Sequence, residues 1–242
     1  MARIGGVRRG ARAVMRDVSL ADVRFHGEGR GPITADGCAV ELYLRLPYAG
    51  EIELLAPSMP GSSVLELGCG VGRLTAALLE HGYRVTAVDN SRDMLAHVPP
   101  AAATVCADIQ DLDLEERFDA AILASGLVNI PSDGERAALL ATCHRHLHEG
   151  GVVLVQCQDA AWLASARAGQ EYSTGEVTVH VDRAEHAPPY ADIALRYSHG
   201  PDQWLHEFRA EALQPAQVEK CLAAAGFHEP AWVDAHWVSA TK

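Results

Sequence analysis

The sequence has no apolar run near the roughly 18 residues that a membrane-spanning helix needs, and it has no secretory apolar segment. It is also poor in positive charge, because 20 Lys and Arg stand against 32 Asp and Glu, for a formal net charge of −12. A nucleic-acid-binding surface needs a basic stripe. We therefore expect neither a membrane nor a nucleic acid as partner, and the unpaired cysteines described next indicate a cytoplasmic location.

Paired cysteines and repeats are also missing. The six cysteines form no C-x-x-C pair, and several lie in apolar segments, where a free cysteine behaves as a small hydrophobic residue. His144, His146 and His148 do not form a convincing metal site, since residues two apart on a helix face different ways. The sequence predicts no metal. Its 242 residues, 48% of them hydrophobic, suit a single α/β domain.

The N-terminal part differs in composition from the rest. Residues 1–16 contain five arginines and no acid, and Gly and Arg remain frequent up to residue 32. We expect residues 1–30 to be a basic, disordered tail. Residues 31–60 have apolar positions at helical spacing, and Pro47 and Gly50 divide them into two short helices. We expect these helices to form a lid.

A glycine-rich stretch organises the remainder of the chain. Val64–Leu67 is predicted to be a buried strand, residues Gly68, Gly70 and Gly72 follow at every second position, and a helix begins near Leu74. This order is typical of the first unit of a doubly wound α/β sheet. Glycines without Cβ atoms let a ligand lie against the backbone below a helix N-terminus.

The spacing distinguishes two kinds of ligand. A dinucleotide fingerprint that starts at Gly68 requires glycine at position 73, which is Arg73. Glu66 before the loop would repel a pyrophosphate and attract an ammonium or sulfonium group. Asp89 ends the next predicted strand, 17 residues past Gly72, and suits a bidentate contact with ribose hydroxyls. An NAD-dependent oxidoreductase is thus disfavoured but remains an alternative.

The stretch Glu66-Leu-Gly-Cys-Gly-Val-Gly72, together with Asp89, resembles the first two motifs of class I S-adenosylmethionine (SAM)-dependent methyltransferases. The resemblance extends over about residues 62–158, the expected SAM-binding core, with a weaker match to the end of the chain. It implies SAM as cofactor and a Rossmann-like, doubly wound, seven-stranded and mostly parallel sheet.

The resemblance also implies which residues contact the cofactor. Met94, on a helix capped by Ser91, would pack on the adenine or ribose. Asp108 would accept a hydrogen bond from the adenine amine, and the backbone of Ile109 would donate one. The full expected set is Glu66, Gly68, Cys69, Gly70, Gly72, Asp89, Asn90, Met94, Ala107, Asp108, Ile109, Ala124 and Ser125.

Acceptor-binding residues are expected in the loop after the fourth strand and in the lid. In the family this loop faces the transferring methyl group, so Ser125, Leu127 and Asn129 are candidates, as are Tyr43, Arg45 and Tyr48 of the lid; ordinary packing is the alternative for each. The loop has no Asn-Pro-Pro-Tyr sequence, so the likeness to nucleobase and glutamine N-methyltransferases is poor.

Residues 159–212 interrupt the α/β pattern. Three segments alternate with period two, which predicts an inserted antiparallel β meander that forms either a cover over the substrate or a dimer surface. If the reaction needs a general base, His180 and His206 in these strands are the first candidates. Residues 213–242 are predicted to be a closing helix and a hairpin, whose last strand the family inserts antiparallel.

These expectations indicate an enzyme that methylates an O or N atom of a small metabolite, of the kind found in natural-product pathways; C-methylation remains open. Alignment of the reacting groups can supply roughly 7–11 kcal/mol of the barrier, and a base is needed only for a protonated acceptor. The alternative is a non-catalytic SAM-binding sensor or scaffold subunit. The chain is expected to be a monomer or homodimer.

Overall fold

The computed structural model of the chain describes residues 25–242. In these residues two β-sheets lie beside short helices. The strands are β1 His26–Gly29, β2 Ser63–Leu67, β3 Arg84–Asp89, β4 Ala103–Cys106, β5 Phe118–Leu123, β6 Leu147–Gln156, β7 Glu171–Thr174, β8 Val177–Ala187, β9 Tyr190–His199, β10 Asp202–Glu211, β11 His228–Trp232 and β12 Trp237–Thr241. The α-helices are α1 Val40–Tyr43, α2 Glu51–Leu55, α3 Arg73–Glu80, α4 Arg92–Leu95, α5 Asp133–His146, α6 Ala160–Ser165 and α7 Pro215–Ala224.

The larger sheet has seven strands in the order β11-β12-β6-β5-β2-β3-β4. Strands β2 to β6 pair in parallel, and β12 lies antiparallel between β6 and β11. All five residues of β2 are buried, since helices cover both faces of a parallel sheet. Leu65 and Leu67 enter one apolar cluster, and Val64 enters the other. The predicted seven-stranded, mostly parallel fold is confirmed.

The smaller sheet is antiparallel, with the order β1-β10-β9-β8-β7. The predicted meander corresponds to β8, β9 and β10, which are longer than the alternating segments suggested. Strand β7 and helix α6 extend this region and are not predicted from the sequence.

Residues 26–29, which the sequence analysis includes in the disordered tail, form β1, so that boundary is wrong. Gly27 pairs opposite His206. A Cβ atom on Gly27 would lie 2.0 Å from the carbonyl oxygen of Gly37, so close packing of two backbones requires glycine there. Two of the glycines in the predicted tail, Gly27 and Gly29, therefore lie in a strand. Residues 1–24 of the predicted tail lie outside the described residues.

The predicted lid consists of two short helices, α1 and α2, with a 3₁₀ turn at Ala56–Ser58. The guanidinium of Arg45 lies over the Trp204 ring at 5.2 Å and 3.5 Å from a carboxylate oxygen of Asp202. The Trp204 ring nitrogen donates to the carbonyl of Arg30 at 2.9 Å. These contacts attach the lid to the smaller sheet.

A buried arginine joins helix α5 to the loop after β5 and to the end of β10. Arg136 on α5 is 1% exposed and donates to the carbonyls of Val128 (2.8 Å) and Ile130 (2.7 Å). It also pairs with the carboxylate of Glu211 at the end of β10. Each of these contacts ties α5 to an element that borders the large cavity described below.

Serine side chains cap helix α4, as the sequence predicts, and helix α5. Ser91 accepts from the Met94 amide at 3.2 Å, and Ser132 accepts from the Glu135 amide at 3.3 Å. Helix α5 ends at His146, because Leu147 already begins β6 in the core. No helix among residues 25–242 is both long and apolar enough to span a membrane.

Candidate active site

A cavity of about 1380 Å³ lies at the carboxyl ends of the parallel strands. The larger sheet contributes the residues that follow β2 to β6, and the smaller sheet contributes side chains of β9 and β10. The lid contributes Asp36, Cys38 and Tyr43. Open α/β sheets bind ligands at this edge. The cavity is therefore the candidate active site.

The glycine loop after β2 is fixed by the strand beside it. The amides of Gly68 and Cys69 donate to the carbonyl of Val88 at 2.8 and 2.9 Å. The Gly70 amide donates to one carboxylate oxygen of Asp89 (2.9 Å), and the Ser91 amide donates to the other (2.8 Å). Burial raises the pKa of Asp89, while these amides oppose the rise. Asp89 thus shapes the loop and also lines the cavity.

The three loop glycines have positive φ angles for different reasons. A Cβ atom on Gly68 would lie 2.7 Å from Leu127, and one on Gly72 would lie 3.1 Å from the backbone of Val98. A Cβ atom on Gly70 would meet nothing closer than Tyr43 at 3.8 Å. The space above Gly70 belongs to the cavity, so a ligand can lie against its bare backbone.

Further predicted cofactor residues surround the cavity after β3 and β4. The Asn90 side-chain amide donates to the carboxylate of Asp108 at 2.8 Å, which orients both groups. The predicted cofactor residues that line the cavity are Gly68, Gly70, Asp89, Asn90, Met94, Ala107, Asp108, Ile109 and Ser125. Their mixture of carboxylates, apolar side chains and free backbone fits a nucleoside with a hydroxylated sugar.

Four predicted cofactor residues do not line the cavity, and Glu66 is the most informative of these. Its carboxylate accepts from the Thr75 hydroxyl at 2.5 Å beneath α3, and burial raises its pKa to about 7. The sequence predicts that Glu66 presents its charge to the ligand, and the structure shows that it does not. Cys69 and Ala124 belong to an apolar cluster, and Gly72 packs against Val98.

The predicted acceptor residues divide in the same way. Tyr43, Leu127 and Asn129 line the cavity. Both polar atoms of Asn129 are used internally, since its oxygen accepts from the Gln158 amide and its nitrogen donates to the Glu211 carbonyl, each at 2.8 Å. Tyr48 does not reach the cavity, because its hydroxyl bonds to Ile52 and Glu53 within the lid.

The two candidate bases point to opposite faces of the smaller sheet. His206 lies opposite Leu195 and lines the cavity, with its Nε2 atom 3.2 Å from the carbonyl of Asp36. Burial lowers the pKa of His206. His180 lies opposite Arg196 on the other face and bonds to Asp182 at 2.8 Å. The structure therefore does not place His180 at the cavity.

Several cavity residues escaped the sequence analysis. They are Asp36 and Cys38 of the lid, Gln158 and Trp162 after β6, and Tyr172, Tyr197 and Phe208 of the smaller sheet. Strand alternation could have placed Tyr197 on the same face as Leu195, two residues before it. No sequence pattern marks the others, because their place depends on how the two sheets pack.

The cavity is acidic and aromatic. Its carboxylates are Asp36, Asp89, Asp108, Asp159 and Glu171. Its one lining guanidinium among the described residues, that of Arg209, makes two hydrogen bonds of 2.7 and 2.6 Å to Asp192. Excess negative charge and aromatic faces favour a cationic or neutral ligand over an anion. No group of three or more potential metal ligands occurs within residues 25–242.

Comparisons with known proteins agree with this site. Residues 64–151 match the methyltransferase domain family. A cypemycin N-terminal methyltransferase from Streptomyces sp is 34% identical over 143 residues, which are 54% of this chain and 58% of that protein. The chain thus spans less than two thirds of the length of this curated relative.

Solved structures share the fold. A sugar N-methyltransferase from Streptoalloteichus sp ATCC 53650 has a TM-score of 0.65 at 20% identity, covering 98% of this chain and 99% of that one. A glycopeptide N-methyltransferase complexed with SAM has a TM-score of 0.54 at 26% identity, covering 78% and 90%. Residues 64–151 thus match a methyltransferase domain, and the chain shares the fold of a methyltransferase that was solved with SAM bound.

Proposed function

We propose that this chain transfers a methyl group from SAM to a nitrogen atom of a small metabolite, such as an amino sugar or a short peptide of a natural-product pathway. The observation that carries the proposal is the open space above Gly70 within an acidic, aromatic cavity. Two relatives support nitrogen as the acceptor atom, since their names describe an N-terminal and a sugar N-methyltransferase. Oxygen acceptors are an outcome of the test below.

In this proposal the nucleoside part of SAM lies over β2, β3 and β4. Each oxygen of Asp89 already accepts one backbone hydrogen bond, which leaves a second lone pair on each for the ribose hydroxyls. Asp108 and the backbone of Ile109 border the place for the adenine. When bound, SAM supplies an electrophilic methyl group on a positively charged sulfur.

The chain's part in the chemistry is alignment and proton removal. In such a transfer the nitrogen lone pair would form the new N–C bond, the electrons of the C–S bond would go to sulfur, and nitrogen would lose one proton. His206 is the candidate to receive a proton from a protonated amine, because burial lowers its pKa and so favours the neutral ring. In the tautomer whose Nε2–H donates to Asp36, the Nδ1 atom is the acceptor.

The test measures S-adenosylhomocysteine (SAH) formation with three acceptors: an alanine tripeptide, glucosamine and catechol. We expect turnover with an amine and a methylated nitrogen by mass spectrometry. Turnover with catechol alone would assign an oxygen acceptor. Binding of SAM without turnover on any acceptor would favour a sensor or scaffold subunit.

A further inference from the structure

One polar atom in the cavity wall lacks a partner. Among the described residues, Oε1 of Gln158 is the buried side-chain nitrogen or oxygen atom that has no hydrogen bond. Gln158 lines the cavity. An unsatisfied buried acceptor costs free energy, and each such atom calls for an explanation, of which a ligand that donates to it is one.

Hydrogen bonds and close packing hold Gln158 in place. Its backbone amide donates to Asn129 at 2.8 Å, and Asn129 in turn donates to the carbonyl of Glu211 at 2.8 Å. Its side chain crosses directly over Gly126, where a Cβ atom would lie 2.4 Å from the Cγ atom of Gln158. Close packing and a fixed backbone restrict the amide, so a hydrogen bond to it requires little further ordering.

The strand order places Gln158 on the side of the cavity away from the proposed nucleoside site. Asp89 and Asp108 follow β3 and β4, at one side of the central strand β2. Gln158 follows β6, at the other side, beyond β5. Asp159 and Trp162, which follow Gln158 in the chain, also line the cavity, as does His236, whose carbonyl accepts from the Cys157 amide. A ligand that reaches Oε1 from this side is the acceptor and not the adenosine.

We propose that Gln158 is a specificity-determining residue, whose side-chain oxygen accepts an N–H of the acceptor amine. The inference rests on the proposed function, because it concerns the acceptor side of the same cavity. An N–H directed at the amide oxygen leaves the nitrogen lone pair free to point at the methyl group. The acidic wall and the aromatic side chains then suit the rest of an amine-bearing molecule.

A hydrogen bond from the acceptor N–H to Gln158 limits the number of methyl groups that can be added. A neutral primary amine has two N–H bonds, and its monomethyl product, after loss of a proton, still has one. The dimethyl product has none and cannot donate to Gln158. Methylation of a primary amine should therefore stop at the dimethyl product, with no quaternary ammonium formed.

The experiment compares Gln158→Met, which removes the acceptor, with Gln158→Glu, which keeps acceptor oxygens. Gln203→Met is the matched control, because Gln203 is exposed on β10 and does not line the cavity. Acceptors are the alanine tripeptide and glucosamine, and SAH binding is measured by calorimetry on each variant. We expect equal SAH affinity in all variants and a loss of about 10-fold to 100-fold in kcat/KM for Gln158→Met only.

The outcomes separate the inference from the proposed function. If the wild-type protein binds no SAH or methylates neither amine, both the proposed function and the inference are wrong. A wild-type protein that methylates an amine while Gln158→Met stays within about twofold of it removes the inference alone. If Gln158→Glu is as slow as Gln158→Met, residue 158 donates a hydrogen bond instead of accepting one, which overturns the inference. A trimethylated tripeptide formed by the wild type would also overturn it.

Discussion

At the scale of single residues, a glycine can be required for its backbone conformation or for the space that it leaves to a ligand. Gly70 and Gly82 both have positive φ angles, 55° and 84°, that side chains rarely adopt. Gly82 has no neighbour within 4 Å of the place for a Cβ atom and lies at the end of α3, away from the cavity lining. The pair therefore distinguishes backbone strain from loss of ligand space.

We expect Gly70→Val and Gly82→Val to lower the free energy of unfolding by similar amounts, about 1–2 kcal/mol each, because valine is strained in the left-handed backbone conformation. Only Gly70→Val puts a side chain into the cavity, so it alone should weaken SAH binding, by at least about 100-fold. Urea denaturation and calorimetry measure the two quantities. Normal SAH affinity in Gly70→Val would show that the ligand does not lie against this loop.

Glu66 gives a pH-dependent prediction. Burial raises its pKa from 4.5 to about 7 in the folded state. The contribution of this group to stability is therefore fully present below pH 4.5 and is lost as the pH rises through about 7. Glu66→Gln keeps an acceptor for Thr75 and cannot ionise.

The free energy of unfolding of Glu66→Gln, relative to wild type, should accordingly rise between pH 4.5 and pH 8, by up to about 3 kcal/mol. Glu80→Gln, at an exposed position of the same helix α3, is the control and should show no such change. Denaturation curves at several pH values measure the effect. Parallel pH profiles for wild type and Glu66→Gln would contradict the burial of an ionisable carboxyl.

The residues differ in how far spacing alone could place them. The interval from the glycine loop to Asp89 is set by one helix and one strand, so the sequence located both at the cavity. The direction of the Glu66 side chain depends on the packing of Thr75 above it. The choice between His180 and His206 depends on strand register, which pairs His180 with Arg196 and His206 with Leu195. Neither leaves a pattern in the sequence.

At the scale of elements, Arg136 joins helix α5 to the loop after β5 and to the end of β10. Replacing Arg136 by Met leaves the carboxylate of Glu211 buried without its partner and also leaves the carbonyls of Val128 and Ile130 without a donor. We expect Arg136→Met to lower the free energy of unfolding by about 3–5 kcal/mol.

Arg183 is the matched control. It too pairs with carboxylates, those of Glu185 and Glu207, but 45% of its side chain is exposed. Arg183→Met should cost at most about 1 kcal/mol. Urea denaturation measures both variants. Equal losses for the two would mean that the buried pair does not join the elements.

The regular elements of the larger sheet could be predicted, because buried strands and capped helices have strong local patterns. The smaller sheet was predicted in its centre only. Strand β1 was missed because Gly27 reads as irregular backbone, whereas its role is a close contact with Gly37. Helix α6 has six residues, too few to establish a helical period.

At the scale of the whole molecule, we expect this protein of net charge −12 to bind one class of ligand, the adenosyl cofactor and its product. SAH at about 100 times its dissociation constant should add about 2.7 kcal/mol to the free energy of unfolding. For a chain of this length, that corresponds to a rise in Tm of roughly 5–10 °C. A thermal-shift comparison should show this rise with SAH and none with NAD; stabilisation by NAD alone would favour a dinucleotide enzyme.

The central claim is that the cavity beside Gly70 and Asp89 receives the adenosine part of the cofactor. A crystal structure of the SAH complex tests it most directly. We expect the ribose hydroxyls within hydrogen-bond distance of Asp89, the adenine beside Asp108, and the sulfur on the side of Ser125. A nucleoside bound elsewhere, or a ribose without contact to Asp89, would contradict the account.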